Sequence, residues 1–134
     1  MPHLVVCYSA NLEAQADMSR FCRSAVDALL SVRDDAGKPV FPTGGTRAFA
    51  YPAAHFAVAD GSGDHGFVYI NLRMAAGRSA AIHAAAGAAL SGAVREHFAP
   101  LLAQRHFGLT VQIDEGAEVF DAKLGNLHPL FGAR

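Results

Sequence analysis

The sequence predicts an α+β fold of two tandem β-α-β units, with four strands in one mixed sheet covered on one face by two helices. Three observations carry that expectation. Short runs rich in valine and aromatic residues alternate with two longer stretches of helical periodicity, clusters of turn formers separate them, and the order strand, helix, strand occurs twice in 134 residues.

The run from His3 to Ser9 is short, apolar and valine-rich, so it reads as a buried strand that pins the residue before it. Asp17 is a plausible N-cap for the first helix. Beyond it Met18, Phe21, Cys22, Ala25, Ala28, Leu29 and Val32 recur at helical spacing, and Arg20, Arg23 and Asp27 fill the polar face, which predicts an amphipathic helix to about Ser31. Residues 33–45 hold two aspartates, Gly37, Pro39, Pro42 and the Gly44-Gly45 pair, a loop by composition. A second strand is expected from Arg47 towards Val58, with Pro52 marking a bulge or an edge position because proline cannot donate to a ladder. Asp60-Gly61-Ser62-Gly63-Asp64 makes the next turn.

The same order then repeats. A strand from Phe67 to Met74 leads through Ala75-Ala76-Gly77 into a helix capped by Ser79 and running to about Gln104, with Ile82, Ala86, Leu90, Ala93, Val94 and Leu101 on its apolar face. Gly108 reads as the helix stop, and Leu109, Val111 and Ile113 alternate with Thr110, Gln112 and Asp114 as a strand with one wet face. The chain is expected to be a single domain over residues 1–134, with pseudo-repeats at about 2–60 and 65–115 and a C-terminal arm at 116–134. The second helix is built largely of alanine and glycine and offers little bulk for a self-sufficient core, so the bare sheet face is expected to pair with other copies. The segment Asn126-Leu127-His128-Pro129-Leu130-Phe131 is expected to add an apolar strand or arm to a neighbour.

A formal net charge of -1 offers no basic stripe for a phosphate backbone, so nucleic acid is excluded as a partner. The N-terminus lacks a signal-peptide pattern and no segment approaches the ~20 apolar residues of a membrane span, which makes the expected location cytoplasmic and the membrane no partner. Cys7 and Cys22 fit two buried thiols in a reducing compartment better than a disulfide.

The chemistry centres on Pro2. A small second residue permits removal of Met1, which would leave a secondary amine whose reference pKa lies not far above neutrality, where acid/base catalysis works best. Arg78 sits at the mouth of the second helix, where free N–H groups and the helix dipole favour an anion, so a carboxylate is expected to dock there. Arg47 follows Pro42-Thr43-Gly44-Gly45-Thr46 at a strand start, placed to clamp a second carboxylate bidentately. His3, His55, His65, His83, His97, His106 and His128 are too scattered for a metal site, and no GxSxG elbow, phosphate loop or dinucleotide fingerprint occurs, so neither a metal nor another cofactor is expected.

The start Met1-Pro2-His3, the stretch Phe41-Pro42 to Gly45-Thr46-Arg47, Phe67-Val68-Tyr69 followed by Gly77-Arg78-Ser79, and the ending Asn126-Leu127-His128-Pro129-Leu130-Phe131 together resemble the 5-carboxymethyl-2-hydroxymuconate isomerases of the tautomerase superfamily. That family shares its fold with 4-oxalocrotonate tautomerase and macrophage migration inhibitory factor. The resemblance implies a homotrimer without cofactor, acting in homoprotocatechuate degradation on an unsaturated dicarboxylate or tricarboxylate. It implies that the amine of Pro2 takes the proton of the 2-hydroxyl of 5-carboxymethyl-2-hydroxymuconate and returns it to carbon 5, while Arg47 and Arg78 bind carboxylates. The 33–45 loop is several residues longer than the family pattern, and it is expected to line or cap the pocket. Two other classes fit a trimer with this start. One is a hydratase or dehalogenase in which Glu115, Glu118 or Asp64 holds a water; the other is a non-catalytic binding protein that keeps Met1.

Overall fold

In the computed structural model, which describes residues 2–132, the strands are β1 (His3–Ser9), β2 (Arg47–Ala53), β3 (Gly66–Ala75) and β4 (Phe107–Gly116). The helices are a single turn α1 (Glu13–Ala16), α2 (Met18–Leu30) and α3 (Ala80–Leu102). The sheet order is β2-β1-β3-β4, with β1 parallel to β2, antiparallel to β3, and β3 parallel to β4. Each parallel pair is joined through one long helix, so the two β-α-β units meet along the antiparallel β1–β3 seam.

Both long helices start where their caps dictate. The Asp17 carboxylate accepts the Arg20 N–H at 3.3 Å and the Ser79 hydroxyl accepts that of Ile82 at 3.2 Å, each satisfying a donor that the first turn leaves free. Helix α2 buries Met18, Phe21, Ala25, Val26 and Leu29 and turns Arg23 and Asp27 outward, 2.8 Å apart. Helix α3 buries Ala86, Leu90, Val94, His97, Phe98 and Leu101. The rings of Phe21 and Phe98 lie 5.0 Å apart, and His97 Nε2 donates to the carbonyl of Ala16 at 2.6 Å, tying α1 to α3 inside the core.

Under the helices the sheet contributes Leu4, Val6, Tyr8, Val68, Ile70, Leu72 and Met74, all buried. The residues between them, including Val5, Cys7, Tyr69 and Arg73, point to the uncovered face. Cys7 is therefore exposed in the chain rather than buried as expected, because its apolar run faces both sides of a sheet that the chain covers on one side only. Cys22 is half-buried.

Three features differ from the sequence reading, each for a physical reason. Strand β2 stops at Ala53 because its partner β1 ends at Ser9, opposite it, so no ladder remains towards Val58. Pro52 lies opposite Tyr8 on this edge strand, where a missing N–H costs no ladder bond on the outer side. Gly108 is not the helix stop but the second residue of β4, and the Phe67 ring of β3 fills the space that its side chain would need. The C-terminal segment forms a 3-10 turn, His128–Phe131, laid against the 3-10 turn Thr43–Gly45 of the same chain instead of a strand. Among the described residues no helix is long and apolar enough to cross a membrane.

Candidate active site

Topology gathers the expected site residues at one end of the sheet. Parallel pairing puts the starts of β1 and β2 side by side, with Arg47 opposite His3, the residue after Pro2; antiparallel pairing brings the end of β3 to the same place, and Arg78 follows three residues after that strand. Pro2 is buried directly before β1, with a neighbouring strand on each side of the residue that follows it. Met1, whose removal the proline chemistry requires, lies outside the described residues.

His3 is level with Arg47 on one side and Arg73 on the other, so three basic side chains form a row across the uncovered face. Arg47 donates from Nη1 to the Gly45 carbonyl at 2.7 Å, and its Nη2 lies 2.7 Å from His3 Nδ1 and 3.0 Å from Nε2. Partial burial, followed by the Arg47 guanidinium and with a contribution from Arg73, holds the His3 pKa below its ordinary value of 6.5. A neutral imidazole can accept from Arg47, and the same field favours anions at this end of the sheet.

Arg78 is positioned by its neighbours in sequence and by the 33–45 loop. Gly77 before it takes a φ of +105°, a conformation that side chains rarely adopt. The chain turns there, so that Arg78 Nη1 donates back to the Ala75 carbonyl at 3.2 Å. Its guanidinium sits 5.3 Å from the centre of the Phe41 ring, and Phe41 is itself buried in the core. The loop thus supplies the platform for Arg78, while its tip is closed on itself: the Asp34 carboxylate accepts the N–H groups of Ala36 and Lys38 at 2.9 Å each. Arg47 also forms part of the wall of a cavity of about 480 Å³ between α2 and the C-terminal turn, together with Thr46, Leu127 and Phe131, and Pro2 does not line it.

The carboxylates weighed for holding a water are dispersed. Asp64 accepts from Asn11 and Arg105 beside the start of β3, at the opposite end of the same chain's sheet from Pro2. Glu115 Oε1 lies 2.7 Å from His83 Nε2. Glu118 follows the end of β4 and reaches the space above Gly116, beside Arg73. Among the described residues no three histidine, cysteine or acidic side chains cluster as metal ligands.

Sequence reasoning missed Arg73 and the role of Phe41. The signal for Arg73 was present: Tyr69, Asn71 and Arg73 alternate with Val68, Ile70, Leu72 and Met74, which puts the arginine on the wet face, but its neighbours across the sheet come only from register.

The profile of the 5-carboxymethyl-2-hydroxymuconate isomerase family matches residues 2–131. The 5-carboxymethyl-2-hydroxymuconate Delta-isomerase of Escherichia coli is 30% identical over 131 residues, covering 98% of this chain and 99% of that one. A crystal structure of a 5-carboxymethyl-2-hydroxymuconate delta-isomerase superposes with a TM-score of 0.95 at 57% identity, covering 100% of this chain and 95% of the other. That of the isomerase from Deinococcus radiodurans R1 gives 0.86 at 34%, covering 98% and 95%. A fused 4-OT symmetric trimer shares the fold at 20% identity, with a TM-score of 0.58 over 98% of this chain and 99% of that one.

Proposed function

The chain belongs to the 5-carboxymethyl-2-hydroxymuconate isomerase family, and from that premise we propose that it ketonises 5-carboxymethyl-2-hydroxymuconate to the 2-oxo-3-ene isomer, with the Pro2 amine moving the proton. The unprotonated amine accepts the proton of the 2-hydroxyl group as the enol collapses to a ketone. The electron pair of the diene shifts towards carbon 5, which takes the proton back from the prolyl ammonium. Neither atoms nor electrons are gained or lost in this isomerisation. Arg47 and Arg78 hold carboxylates at the two ends of the conjugated system and stabilise the negative charge that passes along it.

The observation that supports this reading is one of register: β2 begins with Arg47, and β3 ends shortly before Arg78, at the end of the sheet where β1 starts after Pro2. Arg47 and Arg73, on the strands to either side of His3, support it further, since fixed positive charge favours an anionic substrate at this end of the sheet. The working unit in this reading is a homotrimer built on the uncovered sheet face. Phe49 and Tyr51 on that face are 50% and 56% exposed, with Val5, Phe67 and Tyr69 beside them.

Ketonisation of the tricarboxylate substrate tests the assignment on protein whose intact mass lacks Met1. Pro2→Ala keeps a terminal amine but changes its basicity and rigidity, and it is expected to lower kcat/KM by about 10²–10⁴. Unchanged turnover would sink the proline mechanism. Arg47→Ala and Arg78→Ala are each expected to lower kcat/KM by about tenfold or more, and full activity in both would remove the clamp assignment.

A further inference from the structure

The substrate named by the family carries three carboxylates, two as the ends of the muconate chain and one on the carboxymethyl arm. Arg47 and Arg78 account for two. Resting on the isomerase reading, we propose that Arg73 binds the carboxymethyl carboxylate and thereby sets the preference of the enzyme for a tricarboxylate over a dicarboxylate.

Arg73 occupies the strand position opposite His3, the residue that follows Pro2, and it extends on the uncovered face, the same face as Arg47. Its guanidinium is exposed, and among the described residues it takes part in no hydrogen bond or ion pair. Asp114, its partner on β4, is taken up by Asn71, whose amide donates to Asp114 Oδ2 at 2.8 Å. An arginine with no acceptor among the described residues, at the end of the strand beside Pro2, retains its donor fork for a ligand.

A second feature prepares the place. Arg73 leans over Gly116 at the end of β4, and a Cβ at Gly116 would lie 2.8 Å from Arg73 Nε and Nη2 and 2.6 Å from Glu118 Oε1. Glycine at this buried position leaves room beside the sheet end for the Arg73 guanidinium and the Glu118 carboxylate together. The positive charge of Arg73 reaches the proline end, since it contributes to the lowering of the His3 pKa. The chemistry of the ligand fits an offset cation. Both muconate carboxylates are conjugated with the diene and lie along its plane, whereas the methylene frees the third to swing out of that plane, towards the neighbouring strand.

The test compares kcat/KM for 5-carboxymethyl-2-hydroxymuconate and for 2-hydroxymuconate, which lacks the carboxymethyl arm, in wild type, Arg73→Gln and Arg73→Lys. In Arg73→Gln the loss on the tricarboxylate is expected to exceed the loss on the dicarboxylate by about tenfold or more, and to appear mainly in KM. Arg73→Lys, which keeps the charge but not the fork, should fall between wild type and glutamine. Equal losses on both substrates would mark Arg73 as structural or as a general source of field, and no loss on either substrate in both variants would mark it as a solvated charge; either overturns the subsite alone. A correctly processed wild type that converts neither substrate overturns the isomerase reading itself, and the subsite with it.

Discussion

The two faces of the sheet are drawn from the same strands, one residue out of phase, and they have opposite characters. The face under α2 and α3 is aliphatic, with Leu4, Val6, Ile70 and Leu72 at 0% exposure. The other carries His3, Arg47 and Arg73 at its proline end and then Val5, Phe49, Tyr51, Phe67 and Tyr69 further along. Stability is therefore concentrated on one face, and charge with unfilled apolar surface on the other. A catalyst that must place an amine among cations gains from this division, because the aliphatic face fixes the strands while the basic residues stay clear of the core.

Substitutions on the two faces should separate these roles. Ile70→Ala, on the covered face, is expected to cost about 2–5 kcal/mol through lost burial and a residual cavity, read as a lower urea midpoint with an unchanged slope. An effect well under 1 kcal/mol would show that the core relaxes around the gap. Phe49→Ser combined with Tyr51→Ser, on the uncovered face, should leave the core packing intact yet weaken self-association by about tenfold or more. Sedimentation at several concentrations reads this, and an unaltered assembly would place the subunit contact elsewhere. The smallest effect belongs to pH. The His3 pKa is depressed on folding, so the unfolded chain binds more protons over the window between the lowered folded value and 6.5. His3 therefore lowers stability as pH falls through that window and has no such effect above it. Melting curves between pH 7.5 and 5 should fall more steeply for wild type than for His3→Gln, and parallel curves would remove His3 from the pH response.

The sequence went far in local structure because local signals there agree with one another. Both N-caps, the start of β2 at Arg47, the bounds of β1 and the outward turn of Arg23 and Asp27 follow from capping and periodicity alone. The errors share one source. The end of β2, the place of Gly108 and the exposure of Cys7 all depend on which strand lies beside which, and no local window contains that.

Pro2, Arg47 and Arg78 were legible as candidates because each stands at a recognisable punctuation point: a chain start, a glycine turn before a strand, a glycine turn before a helix. By itself the sequence determined the elements, their order and the kinds of residue at their ends, since propensity, capping and hydrophobic period act over a few residues. Only the tertiary structure decided that β3 runs antiparallel to β1, and this one pairing carries its end, with Arg73 and Arg78, back to the proline. Pairing register is set by burial across the whole sheet, so the basic row beside Pro2 exists only once the strands have come together.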